Sequence, residues 1–168
     1  MSDPFVHLRT VSSFSLRHGV STPEDLVARA AELGQSALAL TDRDGLYGAV
    51  RFVQACRDAG VAPILGADLA LVGDAAAGAP ASGRRSAAQP ARRAPARGGE
   101  QVWEPGSRLV VLARGGRGWA ALCRLVSAAH LHGERGKPAV TRELVAEYAR
   151  PGDLVVMLGA DSGVGRAL

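Results

Sequence analysis

A chain of 168 residues, 47% apolar and 21% charged, suits one globular domain with a real core and leaves no room for a second. It holds neither a run of about 18 apolar residues nor a charged-then-apolar leader, and Cys56 and Cys123 lack metal-type spacing. A cytoplasmic protein with free thiols and no membrane contact is therefore expected. The net charge of +4 comes mainly from Arg84, Arg85, Arg92, Arg93 and Arg97, opposed locally by Asp74 and Glu100 alone, so a nucleic-acid-binding face across the domain is weakly supported.

Residues 5–8 form a short apolar run suited to a buried strand. Thr22, Pro23, Glu24 and Asp25 then supply a capping hydroxyl, a first-turn proline and acids facing the positive end of a helix. Leu26, Val27, Ala30, Ala31 and Leu33 follow at helical spacing until Gly34 stops them. Residues 36–41 read as a second strand, 46–59 as a second helix closed by Gly60, and 61–65 as a third strand. This alternation with short links predicts a parallel α/β arrangement.

From 73 to 106 the pattern dissolves into Ala, Gly, Pro, Ser and Arg. Such a segment buries too little apolar surface to offset its ordering entropy, and a flexible, disordered insertion is expected. A strand over 108–113, a helix over 119–130, a short helix over 141–148 and a fifth strand over 153–158 complete the chain.

Side chains that follow the strands of a parallel sheet gather at its carboxyl edge. Arg9 and Val11, then Asp42, Arg43 and Asp44, then Asp68 are expected to converge there. A mixture of carboxylates and guanidinium groups points to ion pairing instead of a metal cage. Asp42-x-Asp44-Gly45 fails as a calcium loop because Val53 stands at the twelfth position. As an aspartyl phosphatase motif it would need a lysine, for which Lys137 is the single candidate, and an acidic pair, whereas Asp161 stands without an acidic neighbour. His130 and His132, two apart at a helix end, face different ways and read as capping or solvated residues. His7 reads as structural, 159–165 as a turn without the Gly-Lys-Ser/Thr of a phosphate loop, and Trp103 and Trp119 as packing anchors.

Several stretches together carry a family resemblance. Residues 5–19, Phe-Val-His-Leu-Arg-Thr-Val-Ser-Ser-Phe-Ser-Leu-Arg-His-Gly, resemble the opening motif of the PHP (polymerase and histidinol phosphatase) domain of bacterial DNA polymerase III alpha-type subunits. Residues 38–48, Leu-Ala-Leu-Thr-Asp-Arg-Asp-Gly-Leu-Tyr-Gly, resemble its second motif, and 64–68, Ile-Leu-Gly-Ala-Asp, its third. Residues 127–131, Ser-Ala-Ala-His-Leu, with Lys137 and Pro138, match later landmarks closest to the error-prone branch. The resemblance implies one PHP domain over 1–168, incomplete at its C-terminal end: a partial, distorted (β/α) barrel of about five parallel-type strands. The family barrel has seven, so an isolated chain of this kind is expected to expose a sheet edge and to be marginally stable.

The resemblance also implies a degenerate metal site. Arg9 and Val11 stand where the first motif carries metal-binding histidines, Arg43 replaces the second-motif histidine, and His18 stands where the family has Asp. Only His18 and Asp68 keep groups able to coordinate a metal, whereas zinc needs three or four N, S or O ligands and a guanidinium stays protonated. No catalytic residue, no cofactor and no metal are expected, with Arg9 and Arg43 pairing with Asp42, Asp44 or Asp68. The implied function is the N-terminal PHP module of an error-prone DNA-directed DNA polymerase, a nucleotidyltransferase of DNA replication or repair synthesis. Its partners would be the remainder of the alpha subunit and replisome or proofreading subunits, with DNA touched only indirectly. The alternative is a metal-dependent phosphoesterase or 3'-5' proofreading exonuclease holding zinc or manganese at a residual site.

Overall fold

Helix α1, Pro23–Glu32, begins where Thr22 accepts from the Asp25 backbone N–H and the Asp25 carboxylate reaches back to the Thr22 N–H, a reciprocal cap that satisfies two orphan donors. The computed structural model describes residues 5–73, 107–133 and 136–159. Strand β1, Ala37–Arg43, follows α1; helix α2, Ala49–Ala59, leads to strand β2, Ala62–Ala70. Gly60 ends α2 in the left-handed region, at φ 70°. Strand β3 is Arg108–Ala113, helix α3 Gly115–His132, helix α4 Arg142–Tyr148 and strand β4 Leu154–Met157. Apart from Gly73, the insertion expected over 73–106 lies outside the described residues.

The four strands form one sheet in the order β1-β2-β3-β4. β1 pairs with β2 in parallel, but β2 with β3 and β3 with β4 are antiparallel. The expectation of about five parallel-type strands in a partial barrel is therefore corrected to a mixed four-stranded sheet. A crossover through one helix fixes a parallel neighbour, whereas two helices, α3 and α4, separate β3 from β4.

The expected first strand is also corrected. His7 O accepts from Ala39 N and Thr10 O from Thr41 N, so three residues of this segment match two of β1. That slip breaks the ladder as a bulge does, and Phe5 and Leu8 stay exposed.

Alternation divides the core between the two faces of the sheet. Leu38 and Leu40 of β1 pack with Val27, Ala30, Phe52 and Cys56 of α1 and α2. Ala67 and Leu69 of β2 join Leu109 and Val111 of β3 against Leu122, Leu125 and Val126 of α3. The opposite face carries a smaller cluster, Ala39, Val110 and Leu112. Burial pushes the Cys56 thiol up to about 11 and raises that of Cys123, so at neutral pH both remain thiols. On β4, which forms one margin of this sheet, Val155 and Val156 remain exposed, as does Leu158 beyond it.

α3 starts at Gly115, before the expected Trp119, because the glycine-rich lead-in is helical. A Cβ on Gly118 would lie 2.1 Å from the Asp153 carbonyl oxygen, so the glycine lets α3 press against the turn before β4. Gly118→Ala is therefore expected to cost about 1–3 kcal/mol, the reverse of the usual gain from replacing a helical glycine, as read from urea unfolding. Thr22→Ala should cost about 1 kcal/mol at neutral pH through loss of the cap. Hydrogen bonds from Thr22 hold the Asp25 carboxyl below its ordinary value. The unfolded state then binds more protons through the carboxylate range, so this stabilisation is present above that range and lost as pH falls through it. The deficit of Thr22→Ala should accordingly shrink in melts at about pH 3.

Candidate functional site

The carboxyl ends of β1 and β2 carry the sequence-selected residues, and the residue opposite the end of β2 is one that sequence reading passed over. Arg108 opens β3 and pairs in register with Ala70, while Val110 pairs with Asp68. By alternation Asp68 and Arg108 share the face opposite the helices.

Asp68 is 2% exposed. Its Oδ2 accepts from Arg9 Nη2 at 2.8 Å and its Oδ1 from Arg108 Nε at 2.8 Å. Arg108 Nη2 also donates to Asp44 Oδ1 at 3.1 Å and to the Asp68 carbonyl at 2.5 Å. Two guanidinium groups thus clasp one buried carboxylate, and the deeper of them reaches a second. Charge-assisted bonds of this kind offset the cost of removing the ions from water.

Asp44 occupies the left-handed region, at φ 53°, which a short polar side chain tolerates better than most. Its N–H donates to the Asp68 carbonyl at 2.9 Å, and its Oδ1 accepts from Ala70 N at 3.0 Å. His130 Nε2 lies 2.7 Å from the Asp44 carbonyl oxygen. The histidine, exposed as expected, also ties α3 to the loop after β1.

Asp42 takes no part in that cluster. It lies on the Leu40 side of β1 by alternation, and Ser12 N, Ser12 Oγ and Ser15 Oγ donate to it at 2.7, 2.8 and 2.7 Å. Asp42 is 2% exposed, so these neutral donors solvate it in place of water. A Cβ at Gly19 would lie 2.0 Å from the Ser12 carbonyl oxygen, so the loop that delivers both serines closes only over glycine. Arg43 Nη1 reaches His18 Nδ1 at 2.8 Å and also approaches its Nε2. Val11 is half-buried and offers no donor atom to a metal.

The expected convergence is thus corrected in part. Arg9, Asp44 and Asp68 come together with Arg108; Asp42 is held apart by the pleat. No group of three or more His, Cys, Asp or Glu side chains among the described residues is placed to hold a metal ion. Tested against the donor set, a multinuclear metal centre does not fit: the oxygens of Asp68 face two guanidinium groups and those of Asp42 face hydroxyls and an amide. A cleft of about 30 Å3 lined by Arg9, Asp68, Arg108, Val110 and Met157 has room for water but not for a substrate. A larger groove, about 620 Å3, shares none of these residues and lies between Val72, His132, Lys137 and Glu143. Trp103 and Asp161 lie outside the described residues; Trp119 packs half-buried at the edge of the helix-side core.

The chain is 42% identical over 149 residues to an error-prone DNA polymerase of Mycolicibacterium paratuberculosis, spanning 88% of this chain and 12% of the relative. It is 37% identical over 165 residues to that of Cutibacterium acnes, spanning 97% of this chain and 13% of the relative. The chain therefore covers about an eighth of the length of these relatives. Among solved structures it is similar to an amidohydrolase from Chromobacterium violaceum with bound sulfate and no metal, at a TM-score of 0.44 and 20% identity over 75% of this chain and 32% of that one. The sequence profile of the PHP domain matches residues 7–167, and the chain belongs to that family.

Proposed function

We propose that this chain is the PHP domain of an error-prone DNA-directed DNA polymerase of replication or repair synthesis, and that within it the domain is a metal-free structural and interaction module. The observation that carries the second half is the engagement of its carboxylates. Asp68 is spent on Arg9 and Arg108, and Asp42 on Ser12 and Ser15. A carboxylate saturated by permanently cationic donors is a poor ligand, because a divalent ion would have to displace a guanidinium and accept its repulsion. The polymerase context rests on the similarity to error-prone DNA polymerases along most of this chain. On this reading the partners are the remainder of the polymerase and its replisome or proofreading subunits. DNA contact is indirect, and the location is cytoplasmic; no described helix is long and apolar enough to cross a membrane.

What such a module supplies is a rigid sheet edge. The arginine clasp and the Ser12-Ser15 cradle lock the two loops that follow the segment beside β1 and β1 itself. An interaction surface built there needs no ion to hold its shape.

The purified chain is expected to carry no stoichiometric zinc or manganese by elemental analysis, and to release no nucleotide or phosphate from DNA ends or phosphomonoesters with added manganese. A manganese-dependent activity that disappears in Asp68→Ala would overturn the metal-free reading. Continuation of the reading frame past Leu168 into a polymerase palm would support the parent activity, and an unrelated continuation would defeat it.

A further inference from the structure

We infer that Arg108 is the resident cation of this edge: its guanidinium fills a cradle of Asp44 and Asp68 oxygens that would otherwise take a hard divalent ion. The inference rests on the metal-free reading and goes beyond it, because it moves the cause from the replaced imidazole positions to a buried residue on another strand.

Three oxygens converge on this one side chain. Asp68 Oδ1 meets Nε at 2.8 Å, and Asp44 Oδ1 and the Asp68 carbonyl meet Nη2 at 3.1 and 2.5 Å. The Arg108 side chain is 5% exposed and that of Asp68 2%, whereas Arg9 is 40% exposed. A deeply buried charge is screened less and attracts more strongly than one facing water. Arg108 therefore supplies more of the compensation for Asp44 and Asp68 than Arg9 does. Two carboxylates and a carbonyl, stripped of their cation, are the oxygen-only donors that calcium, magnesium or manganese prefer. Imidazoles restored at Arg9, Val11 and Arg43 would thus still face a cradle that is already full.

The decisive comparison is the melting temperature of the full chain, Arg108→Met, and Arg108→Met combined with Asp44→Asn and Asp68→Asn, each with and without millimolar manganese or calcium. The native chain should not respond to either ion. Arg108→Met should melt about 10 °C lower, the consequence of leaving buried carboxylates unpaired, and should regain part of that loss with the ion. The triple variant should regain stability without any ion and ignore it when added. If Arg108→Met alone does not fold, the triple variant must fold, or the inference is wrong. It is also wrong if Arg108→Met melts like the native chain, if it folds but regains no stability with either ion, or if the asparagines fail to restore it. A native chain that itself melts higher with manganese would instead sink the metal-free reading, which keeps the two failures distinct.

Discussion

The buried Asp68 carboxylate and the two guanidinium groups around it are the constraint on which this edge depends. A carboxylate 2% exposed cannot stay charged without strong donors. Those donors come from far apart in the chain: Arg9 from the segment beside β1 and Arg108 from β3. Meeting at one side chain, they tie the N-terminal segment, β2 and β3 into one unit. The net worth of such a cluster over an apolar replacement is small or negative, because each ion gives up hydration. Its value lies in geometry, since a misplaced segment would strand a buried charge.

Pleating decides which acids can join that cluster. Asp42 and Asp68 both lie near the carboxyl ends of their strands and both are buried, yet the pleat turns Asp42 to the helix side, where hydroxyls from Ser12 and Ser15 meet it. The edge therefore holds two different solutions to carboxylate burial, one ionic and one neutral, on opposite faces of the same sheet. In neither are the carboxylate oxygens left open to a shared metal.

Much of the helical framework was legible in the residues. The Thr22-Pro23-Glu24-Asp25 start and the Gly60 stop are local signals, and α1 and the end of α2 lie where those signals put them. Asp68 was legible as a strand-end acid, although β2 runs on to Ala70 and places it inside the strand. Arg108 was not legible, for one reason. In an all-parallel sheet the first residue of a strand sits at the amino edge, remote from the acids; antiparallel pairing of β3 on β2 reverses that and sets Arg108 beside Ala70. Strand direction is not written in periodicity, and across the long stretch between β2 and β3 no crossover rule supplies it. His130 was missed similarly, since its partner is a carbonyl oxygen that no side-chain pattern records.

That carbonyl belongs to Asp44, whose backbone explains how the edge keeps its shape. A non-glycine residue at φ 53° is held there only if its surroundings over-determine it. Here its N–H is engaged with the Asp68 carbonyl, its Oδ1 with Ala70 N and Arg108, and its carbonyl with His130. These partners come from β2, β3 and α3, so the loop after β1 cannot shift without breaking bonds to three elements. Asp44 thus works as a keystone whose side chain and backbone are both spent on structure. An acid committed in this way is fixed where a metal ligand or general base would need freedom to meet an ion or a proton.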